Sequence, residues 1–443
     1  MHPVEISRRL VLSLAVLVLA ACGGSTVTDT PDPTPPVDTT TPVPTVQRAS
    51  ITARVTIDPV DVSVAQQAGI GVSGLTVRLT SSRAGEPVRT AVTGTDGMAR
   101  FDNLLEASYS ASVERKLTAD ELARLAPADR EASVFAGGGQ VVLSPPTGRS
   151  VDVALVGARR GSIIISEIFA YYGPPERGFD NYVYGTYMEV FNNSDTTAYL
   201  DGLLYVQTSS LWHRADPTTG LCDALPKNLR VDNAAVYTSL IRAFPGSGRD
   251  FPIRAGEAKV IAMDAINHVT AAPVFRQLDL SRADFEEFWT DSDVDNPFAV
   301  NMVRVYRGTA GVFGRGYGFM IFGGSGQLVL LAPDARARIT EVTVPSGSAT
   351  GSATTFARLP SEYVLDVLAL ESTVPPVGDG YCAPWTSPTY DRAPAPLRNF
   401  LVRQAIARRS LGRAVGGNEI LQRTKNSARD FMLAEPLKRS LDK

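Results

Sequence analysis

Three carboxylates at alternate positions, Asp291, Asp293 and Asp295, form the pattern in this 443-residue chain that most invites chemistry. Hard oxygen ligands at that spacing can converge on one calcium ion. The rest of a calcium-loop motif is missing. Position six is Asn296 where Gly would make the sharp turn, and position twelve is Met302 where a bidentate Glu would sit. That excludes an EF-hand and leaves two readings, a looser calcium site and a solvated acidic loop. Glu167 and Glu189 stand in apolar runs, and a buried carboxylate pair does acid/base work when its surroundings split the two pKa values. The structural alternative pairs each with an Arg or a backbone amide. His213 and His268 lie far apart, without the spacing of a zinc ligand set. Gly324-Ser325-Gly326 is only part of a nucleophile elbow, and no motif links His268 and Asp264 to a serine. This run is expected to turn a hairpin between strands 319–322 and 328–331. With no phosphate loop either, the expectation is a protein that is not an enzyme and carries no cofactor beyond the calcium considered above.

The thiols need a compartment before they can be interpreted. Arg8 and Arg9 precede an apolar run from Leu10 to Ala21, long enough for a signal-peptide core but short of the roughly 20 residues of a membrane-spanning helix. The run ends Leu19-Ala20-Ala21-Cys22-Gly23, which resembles the lipobox of bacterial lipoproteins. The resemblance implies a signal peptide over 1–21, cleavage before Cys22, and diacylglycerol on the Cys22 thiol. Acyl chains contribute about 0.8 kcal/mol per buried CH₂, so several chains hold where one holds marginally. The absence of Asp after Cys22 leans toward the outer membrane of the cell envelope. Residues 22–47 carry six prolines among Thr, Ser, Asp and Gly. Such a tether reaches up to roughly 75 Å if extended at about 3.1 Å per residue. In that oxidising setting Cys222 and Cys382 remain as an even pair and are expected to be bridged, with two free buried thiols as the alternative.

These groups must be positioned by strands. Ile51, Ala53, Val55 and Ile57 alternate with Thr52, Arg54 and Thr56, as do Leu75, Val77 and Leu79 with Thr76, Arg78 and Thr80, the signature of strands with one buried face. Asp96-Gly97 signals a hairpin turn, and Thr118 to Glu121 has capping-box spacing for a short helix. From Thr95 through Phe101, Leu104 and Tyr109 the segment 48–157 resembles the prealbumin-like carboxypeptidase regulatory-like domains. Ala107-Ser108 replaces the usual Pro-Gly. Some relatives crosslink Lys to Asn; Lys116 is the only Lys in the segment, and no crosslink is expected. The second domain, 160–443, opens Ile165-Ser166-Glu167-Ile168, Tyr187-Met188-Glu189-Val190-Phe191-Asn192 and Leu200-Asp201-Gly202. Together with Ile253 to His268, Ala405 to Arg409 and Thr424 to Phe431, these phrases resemble the lamin-tail fold, an immunoglobulin-like β-sandwich. Combined with the lipobox, Leu278 to Glu286 and Val364 to Val367, they resemble uncharacterised bacterial surface lipoproteins of a domain-of-unknown-function family. The fold class expected is all-β, two β-sandwiches.

Lys+Arg 43 against Asp+Glu 46 gives a net charge of -3, without the basic excess that nucleic acid requires. The insertions at about 208–250 and 281–320 exceed ordinary sandwich loops, and binding surfaces favour such loops. They carry Trp212, Tyr237, Phe251, Phe285, Phe288, Trp289, Tyr306, Phe313, Tyr317 and Phe319. Trp212 and Trp289 are the candidate binding aromatics, the alternative being core under long loops. The function expected is non-catalytic binding of a polysaccharide, a peptide or an outer-membrane protein at the envelope. A hydrolase hidden in 208–320 and a structural spacer are the competing classes.

Overall fold

The computed structural model describes residues 46–127, 129–174, 176, 182–208, 234–288, 294–308, 326–344, 354–372, 389–397 and 402–437. Gln47–Lys443 forms one compact unit, separate from Met1–Val46. No described helix is long and apolar enough to cross a membrane. The chain is all-β, as its alternation implies.

In the first sandwich, strand Ala49–Ile57 lies between Met98–Leu104, antiparallel, and Arg149–Ala158, parallel. The facing sheet runs Arg89–Val92, Thr76–Ser81, Ala107–Lys116, Val134–Leu143. Strand Arg149–Ala158 belongs to both sheets: Arg149 to Leu155 pair with the first strand, and Val156 to Ala158 pair with Val134 to Ala136. The predicted alternation holds, with Ile51, Ala53, Val55, Val77 and Leu79 buried between the sheets. Thr118 and Glu121 close the predicted capping box on helix Ala119–Arg124. Gly97, at φ 75°, makes the predicted turn, with its N–H bonded to Gly94 O at 3.0 Å. The turn does not make a hairpin ladder, however. The strands it joins go to different sheets, because Ala99, Phe101 and Leu104 reach the core by pairing along the first strand.

Among the described residues, the second sandwich has a front sheet in the order Val300–Asn301, Phe285–Glu286, Ala258–Ala262, Tyr187–Asn192, Ile163–Phe169, Ala405–Arg408, Phe431–Ala434. Its back sheet runs Val303–Arg307, Leu240–Ala243, Leu204–Gln207, Gly326–Leu331, Val364–Ser372, Ala395–Leu397. Ile165, Ile168, Met188 and Val190 of the front sheet meet Tyr205, Leu330, Leu368 and Leu370 of the back sheet to form the main core. Both outer faces are covered as well. Leu278, Leu280 and Leu437 pack on Phe169 and Tyr187 in front, while Val236, Leu359 and Ala335 pack on Val206 and Val329 behind. Strands Ile163–Phe169 and Tyr187–Asn192 are therefore buried at every residue, and their sequences show a near-continuous apolar run instead of alternation.

The two sandwiches abut directly, with only residues 159–162 between strands Arg149–Ala158 and Ile163–Phe169. Val134, Ala136 and Val156 of the first pack with Leu411, Ala414 and Ile420 of the second. Gly138, inside a strand, marks the closest approach: a Cβ there would stand 2.8 Å from Gly412 Cα. Glycine within a strand is where another backbone comes near.

Candidate functional site

Strand Val364–Ser372 brings Asp366 to the end of the second sandwich that abuts the first. Asp366 Oδ2 accepts from Arg408 Nη2 at 2.6 Å and from Ile165 N at 2.9 Å, and Oδ1 accepts from Arg423 Nε at 3.1 Å. Arg408 also donates to Ile165 O, Gln422 O and Asp430 Oδ2, and its guanidinium carbon lies 4.3 Å from the centroid of the Phe431 ring. Asp430 in turn accepts from Thr424 N and Oγ1, both at 2.8 Å. All four charged residues are buried. Burial raises the Asp430 carboxyl to about 6, against the opposing pull of Arg408. Burial likewise pushes Arg423 down, opposed chiefly by Asp366. Buried charges persist only when paired and fully hydrogen-bonded, and this cluster spends its bonding capacity on the protein itself. It fixes Ile163–Phe169, Val364–Ser372 and Ala405–Arg408 at one end.

A second layer of charge joins that end to the first sandwich. Asp61 Oδ2 accepts from Gly157 N at 3.0 Å and from Arg429 Nη2 at 2.5 Å, while Arg429 Nη1 reaches Asp61 Oδ1 at 3.0 Å. Asp58 adds a contact to Arg429 at 3.1 Å. Although burial opposes it, these carboxylates raise the Arg429 pKa. Glu131 pairs with Lys425 at 3.1 Å and with Arg159; despite desolvation, these cations hold its carboxyl below the usual range. Asp195 pairs with Lys116 and Arg160, which lower its pKa, Lys116 most. Lys116 is thus tied in an ion pair across the junction. A crevice between the sandwiches is lined by Ser63, Glu131, Arg392, Thr424, Asn426 and Arg429. Because Glu131 and Arg429 are committed to pairs across it, the crevice has the chemistry of an adhesive contact.

The sequence candidates fare differently. Asp295 is exposed and its Oδ1 accepts from Asn301 Nδ2 at 2.9 Å; Asp291 and Asp293 lie outside the described residues. Among the described residues, no three His, Cys, Asp or Glu side chains are grouped to hold a metal. Cys22, Cys222, Cys382, Trp212, Trp289, Phe313, Tyr317, Phe319 and the Gly324-Ser325 turn also lie outside them. Of the remaining aromatics, Phe285 is core, Tyr237 is buried, and the Phe251 ring packs 5.4 Å from that of Phe285. Glu167 accepts from the Tyr187 hydroxyl and from Leu437 N at 2.8 Å, and Glu189 accepts from Ser166 Oγ at 2.7 Å. The expected backbone-amide partner is thus found for Glu167, and a hydroxyl serves Glu189. Both carboxylates are wholly buried. His268 is fixed between the Tyr182 hydroxyl at Nδ1 and Asp264 O at Nε2, both 2.9 Å, and burial lowers its pKa.

The opposite end of the second sandwich is where the chain departs from its strands. Thr208 N bonds Gln327 O, Gly308 N bonds Ser239 O, and Gly326 is paired with Leu370. Both edges of segment 309–325 and the leading edges of 209–233 and 373–388 thus meet at one pole of the back sheet; the trailing edges stand toward the other, where Ala234 O accepts from Ser361 N and Thr389 O accepts from Lys425 Nζ, the partner of Glu131. In front, Phe169, Tyr187, Ala262 and Glu286 stand at the same pole; Glu286 and Phe288 lead to 289–293. One exposed aromatic there escapes the sequence reading. Asn296 N donates to Glu286 Oε1, and its Nδ2 donates to Ala265 O and Ser281 O. The loop so anchored carries Phe298, 89% exposed, and Val294, 76% exposed. The signal was Asn296-Pro297, a turn-forming pair directly before an aromatic.

No curated protein matches the chain. Among solved structures, a DUF4876 family protein from Bacteroides thetaiotaomicron VPI-5482 is 19% identical over 88% of this chain and 97% of its own, with a TM-score of 0.47. A DUF3823 family protein from Parabacteroides merdae ATCC 43184 is 11% identical over 47% of this chain and 95% of its own, TM-score 0.17. GBS52, the minor pilin of Streptococcus agalactiae, is 12% identical over 70% of this chain and 90% of its own, TM-score 0.14. The hub residues Asp366, Arg408, Arg423 and Asp430, and Leu437, which bonds Glu167, all fall within residues 254–437. That stretch matches the family model described as "Protein of unknown function (DUF4876)".

Proposed function

We propose that the protein is a lipoprotein of the cell envelope, anchored through Cys22, that binds a polysaccharide, a peptide or an outer-membrane protein without catalysis. The observation that carries the reading is polarity. The chain following the tether enters the first sandwich at Ala49, the strand then runs to the junction at Asp58 and Asp61, and both edges of 309–325, the leading edges of 209–233 and 373–388, and the Phe298 loop stand at the pole beyond. We take the binding surface to lie at that pole, remote from Ala49. Phe298, held out by the anchored Asn296, supplies an exposed aromatic of the kind enriched at interfaces. Thr208 and Phe288, which lead into the Trp212 and Trp289 segments, stand at the same pole, and a calcium ion on Asp291, Asp293 and Asp295 would rigidify the chain before Phe298.

The first sandwich is taken as carboxypeptidase regulatory-like and the second as lamin-tail-like, on the sequence phrases given above. Cys222 and Cys382 are taken as a disulfide. Non-reducing mass spectrometry finding both thiols free overturns the bridge. Palmitate labelling that persists in Cys22→Ala overturns the anchor. For binding, the intact lipoprotein is used for affinity capture from detergent-solubilised envelopes and is probed on a glycan array. The expected result is a specific ligand whose retention falls in Phe298→Ala; no ligand in either assay, or retention indifferent to the pole, overturns the reading.

A further inference from the structure

The first sandwich has a topology whose consequence is mechanical. Strand Ala49–Ile57 and the first part of strand Arg149–Ala158 run parallel in unbroken register, from Ile51 opposite Arg149 to Ile57 opposite Leu155, and Asp58 N extends the ladder to Leu155 O at 2.9 Å. Chain from the N-terminal side joins the first of these strands at its start. Chain to the second sandwich leaves the other at its end. A pull applied through those two connections drives the parallel strands past each other lengthwise, so the whole ladder is loaded together. Pulling both strands from their starts would instead open the ladder one pair at a time.

We propose that this pair is a force-bearing clamp that transmits load between the N-terminal tether and the second sandwich. Only the source of the load, a membrane anchor on one side and a bound partner on the other, rests on the function proposed above; the clamp itself rests on the register. Asp61 secures its exit. Its carboxylate holds Gly157 N, near the end of one clamp strand, and sits four residues past the end of the other while gripping Arg429 of the second sandwich. Load therefore has a side-chain route across the junction beside the covalent link at residues 159–162.

Single-molecule pulling on the full chain tests this without any membrane. In one preparation the handles are placed at Gln47 and Arg159, which shears the clamp; in the other they are placed at Gln47 and Thr147, which peels it. All three positions are exposed, and the second handle merely moves from one end of a strand to the other. Each geometry releases a contour length of roughly 350–400 Å at about 3.5 Å per residue, which identifies the first sandwich as the unit that opened. The expected result is a rupture force severalfold higher in the shear geometry. Equal rupture forces at the same loading rate, or a lower force in shear, would overturn the clamp. Either outcome leaves the binding proposal to be decided by its own capture assay.

Discussion

Replacing Asp61 with Ala should destabilise the protein by about 3 kcal/mol, a figure that comes from counting what the carboxylate holds. Asp61 is 6% exposed. Removing it strands the buried Gly157 N–H, which costs about 1–3 kcal/mol. It also removes the two-pronged contact to Arg429, whose loss in a buried pair costs about 3–5 kcal/mol when the partner is left alone. Arg429 is not left alone: Asp58 remains 3.1 Å away and the Arg429 side chain is 19% exposed, so most of the second cost is discounted. Asp61→Asn keeps an acceptor for Gly157 N and should lose about half as much. The assay is equilibrium urea denaturation of the full chain near pH 7, completed as a double-mutant cycle with Arg429→Ala. A coupling of about 1–2 kcal/mol is expected for residues in direct contact. A loss under 0.5 kcal/mol for Asp61→Ala, with no coupling in the cycle, would refute the claim that this pair fastens the junction.

Gly138→Ala should cost about 1–3 kcal/mol, since its methyl would meet the Gly412 backbone, not a side chain that could move aside; an unchanged urea midpoint would show that the two sandwiches can separate slightly at no cost. Asp430 gives a pH test. Its folded pKa of about 6 lies above the ordinary 3.8, so the folded state holds the proton more tightly and the associated stability is present below about pH 4 and lost as pH rises through about 6. Asp430→Asn removes this dependence, so stability relative to the parent should move in the variant's favour by up to about 3 kcal/mol between pH 4 and pH 7. A difference between the two proteins that is constant over this range sinks the assignment. Thr118→Ala, which removes the capping-box hydroxyl, should cost about 1 kcal/mol by the same denaturation assay.

The parts of the fold written in local patterns were legible. Ile51, Ala53 and Val55 announce their strand because one face is wet, and Thr118 with Glu121 announces a helix start because a cap is satisfied within four residues. Strands buried on both faces are harder to place, since Ile163–Phe169 carries no alternation to give its register. Asp96-Gly97 announced its turn, but a turn fixes only what lies next to it. Which strand Met98–Leu104 would join depended on the free edge of Ala49–Ile57, some 45 residues earlier.

The site was less legible for the same reason, now acting over longer separations. Asp61 and Arg429 stand 368 residues apart, and nothing near either one foretells the other. The phrases Val364 to Val367, Ala405 to Arg409 and Thr424 to Phe431 carry a family resemblance, and each also contains a charge inside or beside an apolar run: Asp366, Arg408 and Asp430. Separately, each such charge suggests a catalytic group, because burying it unpaired would be costly. Together they satisfy one another at a single end of the sandwich, and the chemistry they support is cohesion. A surface that binds must be looked for where side chains are left without such obligations, and Phe298 at the opposite pole meets that condition.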